Sequence, residues 1–241
     1  LIILSVYTYT PSNKGALKPG TVFTGQTMGT TYTVKLGSMT RSPHQSNDLG
    51  TKIQKTLDKL DELMSTYIAT SEISRFNSFE QTTPFPLSSE TLSVIEKALA
   101  VYQLSNGAFD ITVAPLVNAW GFGPDKRPQK ALSQTLIQEL LSRIGSNHLS
   151  VDPVKGTARK AIPSLQLDLS AIAKGYALEQ VSRLLMGEGH PHHMVEIGGE
   201  VWAQGKNPQG DHWRIAVEHP SLDSAQVARV VHLDGQTLAT S

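Results

Sequence analysis

The stretch LDLSAIAKGYALE, Leu167–Glu179, decides how this chain is read. Upstream and into it, Leu165, Leu167 and Leu169 alternate as one face of a strand does. Ile172, Tyr176 and Leu184, with the alanines between them, mark the buried side of a following helix. The pattern predicts a strand ending at Asp168 and a helix with Lys174 in its opening turn. Unpaired N–H groups at such a helix start, with a lysine beside them, suit an anion, whereas a buried Asp168 cannot face phosphate and is read as accepting from the edge of a planar ring. Asp and an exposed Lys also serve such junctions locally. The segment therefore takes its meaning from its neighbours.

Composition narrows the classes. A chain of 241 residues can bury a substantial core and fits one large domain or two small ones, of which one is preferred. Its 21 Lys+Arg balance 21 Asp+Glu, and no long basic run or interleaved aromatic platform is present, so nucleic acid is excluded as a partner class. The absence of cysteine removes thiolate catalysis, thiolate metal sites and disulfides, and fits an oxidising compartment. No run is long and apolar enough to cross a bilayer as a helix.

The two ends carry their own expectations. LIILSV followed by a polar stretch rich in Pro, Gly, Ser and Lys, residues 1–20, reads as the remnant of an exported leader or anchor with a tether; an edge strand is the equal alternative. At the other end, TLATS falls in the second strand of an expected hairpin turning at Asp234 and Gly235, which predicts further residues beyond it.

Between the ends the periodicities define elements. A strand is expected over Thr31 to Leu36. A helix from near Asp48 carries Ile53, Leu57, Leu60 and Met64 on one face. Ser71 caps a short helix, and Ser88 or Ser89 caps another bearing Leu92, Ile95, Leu99 and Tyr102, stopped by Asn106 and Gly107. A loop is expected from Gly107 to Pro128. Ser133 then opens a helix with Ile137, Leu140, Leu141 and Ile144, ended by Gly145. Strands are expected at Met194 to Ile197, Val201 to Gln204, Trp213 to Glu218 and Ala228 to Leu233, in a sheet that is antiparallel or mixed.

Four segments are too unusual for plain connections: TMGTTY at 27–32, MSTY at 64–67, GAFDITVAPLVNAWGFGP at 107–124, and the opening motif. Met28 offers a polarizable side chain to an aromatic ring, and Tyr67 a ring face with a hydroxyl, although core packing explains either when read alone. Gly107, Ala108, Gly121 and Gly123 permit close backbone approach, and Asp110 accepts from a ligand or caps its own loop. In HPHH, His190, His192 and His193 lack the regular spacing and partners of a metal site and are read as a solvated loop. Gly198 and Gly199 read as a hairpin turn.

In this order TMGTTY, STY, SEISRFN, FDITVAPLVNAWGFGP, LDLSAIAKGYALE, VEIGGE and LATS resemble the blocks of the ApbE family, the FAD:protein FMN transferases, from about Gly25 to Ser241. The resemblance implies an α+β fold with a mostly antiparallel sheet flanked by helices, an ApbE-like, T-fold-like core over residues 21–241 that is incomplete at its C-terminus. It implies that Met28, Tyr67, Ala108, Phe109 and Asp110 contact the flavin nucleotide, that Asp168 and Lys174 hold further parts of FAD, that the Ala171 carbonyl ligates Mg²⁺, and that VEIGGE borders the pocket. It also implies the chemistry: Mg²⁺-dependent transfer of FMN from FAD to a Thr or Ser hydroxyl, with AMP leaving. The implied acceptors are flavoprotein subunits of membrane redox complexes, met in the periplasm by an enzyme tethered to the inner membrane through a lipid or peptide anchor. Family members continue past LATS into a catalytic His block and an acidic cluster that supplies side-chain metal ligands, so this chain alone is expected to bind FAD weakly. FAD pyrophosphatase activity and non-catalytic FAD binding are the rival readings.

Overall fold

Eleven strands and six α-helices alternate along the residues described by the computed structural model, which are 6–8, 21–37, 43–124, 131–219 and 227–240. Every ladder among them is antiparallel, and none of the sheets closes into a barrel. The chain divides into two compact units, residues 1–58 with 174–241, and residues 59–173.

The first unit holds two sheets. Strand β1 (Val6–Thr8) lies beside β9 (Trp213–Glu218), which also pairs with β10 (Val227–Leu233). Apart from β1, the expected tether over residues 1–20 lies outside the described residues. The larger sheet has the order β11 (Gln236–Leu238), β8 (Glu200–Gln204), β7 (His193–Ile197), β3 (Thr30–Leu36) and β2 (Val22–Thr27). Between the sheets Met194, Val201, Ala203, Trp213, Ile215 and Leu233 form one apolar cluster. The Asp234–Gly235 turn is not the hairpin expected: β10 pairs with β9 and β11 with β8, so this turn carries the chain from one sheet to the other.

Two helices span the division between the units. The first, α1 (Pro43–Met64), starts five residues before the expected Asp48 and buries Ile53, Leu57, Leu60 and Met64 on the predicted stripe. The second, α6 (Ser170–Gly187), begins within the LDLSAIAKGYALE stretch.

The second unit is mainly helical. Ser71 caps α2 (Glu72–Ser78), accepting from the Ser74 N–H. Ser88 caps α3 (Ser89–Leu104), and its own N–H and hydroxyl donate to the Glu72 carboxylate at 2.8 and 2.7 Å. Asn106 and Gly107, both at positive φ, end α3 as expected. A small sheet of β5 (Leu149–Asp152), β6 (Thr157–Lys160) and β4 (Phe85–Pro86) completes the unit with α4 (Ala114–Ala119) and α5 (Gln134–Leu141). Here the expected loop from Gly107 is corrected: Ile111–Val113 form a 3₁₀ turn that runs directly into α4. Residues 125–128 of that loop lie outside the described residues. No described helix is long and apolar enough to cross a membrane.

Candidate functional site

Residues 165–169 join no β-ladder, which corrects the predicted strand. The alternation was real, since Leu165, Leu167 and Leu169 are all fully buried. The backbone between them is satisfied by other means. The Asn77 side chain accepts from the Leu167 N–H and donates to the Leu167 carbonyl, both at 2.8 Å, and the Asp168 N–H donates to the Ile111 carbonyl at 2.8 Å. Asp168 is half-buried rather than buried; its Oδ1 accepts from the Ser170 N–H at 2.8 Å, fixing the entry into α6. Ala171 lies in the first turn of that helix and Lys174 just beyond it.

Tyr67 does not pack in a core. It is 64% exposed, with its hydroxyl donating to the Phe122 carbonyl at 3.0 Å. Phe122, also 64% exposed, and the partly exposed Trp120 stand on the segment after α4. Gly123 lies close against Asn118 there: a Cβ would fall 1.8 Å from Asn118 Oδ1, so a larger residue would have to displace that side chain. One stretch of chain, 111–122, thus anchors both the Tyr67 hydroxyl and the Asp168 backbone within the second unit.

Asp110 turns inward. Its Oδ1 accepts from the Thr112 N–H, the Thr112 hydroxyl and the Ser146 hydroxyl at 2.7–2.8 Å, and its Oδ2 from the Ser146 N–H at 3.2 Å. This is the capping alternative of the sequence reading, so Asp110 shapes the Ala108–Phe109 loop with its carboxylate already occupied. Ala108 is exposed and Phe109 half-buried beside it.

In the first unit the corresponding residues gather at one end of the five-stranded sheet. Met28 and Gly29 make the two-residue turn between β2 and β3, at φ of +48° and +71°. Gly198 and Gly199, at +54° and +90°, make the turn between β7 and β8 as expected. The register Tyr32↔Ile197 sets the two turns side by side, and a Cβ on Gly198 would approach Thr30 Cγ2 to 2.9 Å. Thr240 donates to the Gly199 carbonyl at 3.1 Å, and the Glu196 carboxylate accepts from the Gly199 N–H at 2.8 Å. Beside them the Thr27 hydroxyl is buried with no hydrogen-bond partner, an unsatisfied group of the kind a ligand can complete.

Lys174, read from the sequence as an anion-facing lysine, has its Nζ paired with Glu200 Oε1 at 2.9 Å. Glu200 ends the VEIGGE block, and the β7–β8 turn brings it to α6, a contact between distant residues that local sequence pattern does not record.

The histidines are corrected as well. His190 and His193 are buried, not solvated. His193 Nδ1 lies 2.8 Å from the His190 carbonyl and Nε2 lies 2.7 Å from the Ser182 hydroxyl, so Nδ1 carries the proton and Nε2 accepts from Ser182. Burial lowers the His193 pKa below its ordinary value.

Among the described residues no group of three or more His, Asp or Glu is placed to hold a metal ion. The Ala171 carbonyl keeps a second lone pair beyond its helical hydrogen bond and suits a hard ion as a single ligand. Substrate phosphate and water would have to fill most of the shell of an Mg²⁺ bound there.

Residues 28–241 match the ApbE family. The chain is 40% identical over 217 residues to an FAD:protein FMN transferase of Vibrio cholerae, covering 90% of this chain and 64% of that protein. It is 35% identical over 223 residues to the FAD:protein FMN transferase of Escherichia coli K12, covering 92% and 63%. This chain therefore spans less than two thirds of the length of these curated relatives. Among solved structures, the flavin transferase ApbE from Vibrio cholerae superposes with a TM-score of 0.84 at 38% identity, over 92% of this chain and 71% of that one. The apo flavinyl transferase ApbE of Pseudomonas stutzeri gives 0.82 at 36%, over 94% and 72%.

Proposed function

The chain belongs to the ApbE family, and from that membership we propose that it transfers FMN from FAD to a hydroxyl of a target protein. The observation that carries the reading is that residues 111–122 of the second unit anchor both an exposed Tyr67 ring, through its hydroxyl, and the backbone of Asp168, whose half-buried carboxylate stands at the start of α6. A flat face and a hydrogen-bond acceptor fit a polar heteroaromatic ring. The names of the relatives support the same substrate.

In the proposed reaction a Thr or Ser hydroxyl of the acceptor attacks the FMN-side phosphorus of FAD. The bond from that phosphorus to the bridging oxygen breaks, AMP departs with that oxygen, and the hydroxyl proton is released. Tyr67 and Met28 bind rings, Asp168 accepts from the ligand edge, and the Ala108–Phe109 loop is held in shape by Asp110. Lys174 meets the pyrophosphate by exchanging Glu200 for phosphate oxygens. Mg²⁺, held by the Ala171 carbonyl and substrate phosphate, would supply neutralisation of charge on the pyrophosphate. The proposed acceptors are flavoprotein subunits of redox complexes on the exported side of a bacterial membrane, where the proposed anchor would hold the enzyme.

The test is incubation of the chain with FAD, Mg²⁺ and an acceptor domain bearing an exposed threonine, following acceptor mass and AMP together. An FMN-sized adduct with AMP, abolished by EDTA, is the expected result. AMP with free FMN would replace transferase by pyrophosphatase, and FAD bound but intact would replace it by a binding protein.

A further inference from the structure

We propose that Asn77 is a positioning residue for the flavin-nucleotide site, its side-chain amide standing in for an absent neighbouring strand at Leu167 and so fixing Asp168 and the start of α6. The inference rests on the function proposed above. Asn77 closes SEISRFN, a segment to which the reaction assigns no residue.

Residues 165–169 bury alternate leucines yet have no ladder partner, so their buried peptide groups need donors and acceptors from elsewhere. A primary amide is the one neutral side chain that offers a donor and an acceptor in the spacing of a peptide group. Asn77 uses both at once on the two polar atoms of Leu167, at 2.8 Å each. The next N–H, that of Asp168, goes to Ile111, and the Asp168 carboxylate then receives the Ser170 N–H. Each link leaves the following one little freedom. Asn77 is itself held, because its main-chain carbonyl accepts from the fully buried Lys160 Nζ at 3.1 Å. No other residue on α2 reaches the segment in this two-point fashion among the described hydrogen bonds.

Asn77→Asp keeps an acceptor for the Leu167 N–H but sets a carboxylate oxygen against the Leu167 carbonyl; Asn77→Ala removes both bonds. Two readouts separate positioning from mere stability. Amide hydrogen exchange across residues 165–171, in the full chain without ligand, is expected to accelerate in both variants more than in Ile73→Val, a packing control on the same helix. FAD affinity at a temperature well below unfolding is expected to fall roughly tenfold in both, while Ile73→Val binds as the wild type does. In an Asp168→Ala background the Asn77 substitutions are expected to add little further loss. Wild-type FAD binding with an unchanged Asn77→Ala affinity, or exchange no faster than in the packing control, would overturn the inference alone. A wild-type chain that binds no FAD would overturn the proposed function and this inference with it.

Discussion

At the level of single residues, two aspartates of the second unit differ in what their carboxylates have left to give. Asp110 is occupied on both oxygens by Thr112 and Ser146, whereas Asp168 spends one oxygen on the Ser170 N–H. Asp168→Ala is expected to weaken FAD binding by about 2 kcal/mol, the range for a hydrogen bond to a charged group. Asp168→Asn keeps an acceptor for Ser170 and separates the structural share from the ligand share by titration calorimetry. Tyr67 is so exposed that its truncation removes little native packing. Tyr67→Ala should leave the melting temperature of the free chain nearly unchanged and shrink the rise that FAD produces, with about 1 kcal/mol of stacking lost. An equal fall with and without FAD would make the residue structural. Sequence reading left Tyr67 open between ring binding and core, because exposure is a property of the surroundings.

Among the elements, the β2–β3 hairpin carries a visible cost. A two-residue turn with both φ positive favours Asn-Gly, yet Met28 takes the first position at +48°. A left-handed conformation costs a residue with Cβ roughly 1–2 kcal/mol, and such outliers collect at functional sites. Met28→Asn should therefore stabilise the chain by about 1 kcal/mol in denaturant unfolding and weaken FAD binding; a variant that gains stability and keeps full affinity would remove Met28 from the site. The hairpin is held from one side, where Gln54 of α1 donates to the Gln26 carbonyl and accepts from the Tyr32 hydroxyl. Elements with a clean period, such as α1, α3 and β3, were legible from sequence. The 165–169 segment was legible in its burial but not in its pairing, because alternation reports which side chains are inside and not what bonds the backbone between them.

Across the whole molecule, two buried bases bias stability toward higher pH. Burial lowers the pKa of His193 beneath 6.5 and that of Lys160 from 10.5 to about 8. Between the folded and ordinary values each binds fewer protons folded than unfolded, so stability rises with pH across that window. The His193 window lies below 6.5 and the Lys160 window between about 8 and 10.5. Melting temperatures are expected to fall as pH drops from about 7 to 5, less so in His193→Gln, and to rise from about 8 to 9.5 in the wild type, less so in Lys160→Met, where the similarly lowered Lys35 still contributes. A flat profile across both windows would contradict the burial of the two groups. By itself the sequence determined the α+β class, the capped helices, the glycine turns and the ordered blocks that mark the family, because periodicity, capping and turn chemistry act over a few residues. Only the tertiary structure decided that Lys174 is matched by Glu200, that Asp234–Gly235 switches sheets, that His193 is buried and that Asn77 replaces a strand. Each of those joins residues distant in the chain, or exchanges one satisfied hydrogen-bond partner for another. Local pattern carries no record of which partner the folded backbone will bring within 3 Å.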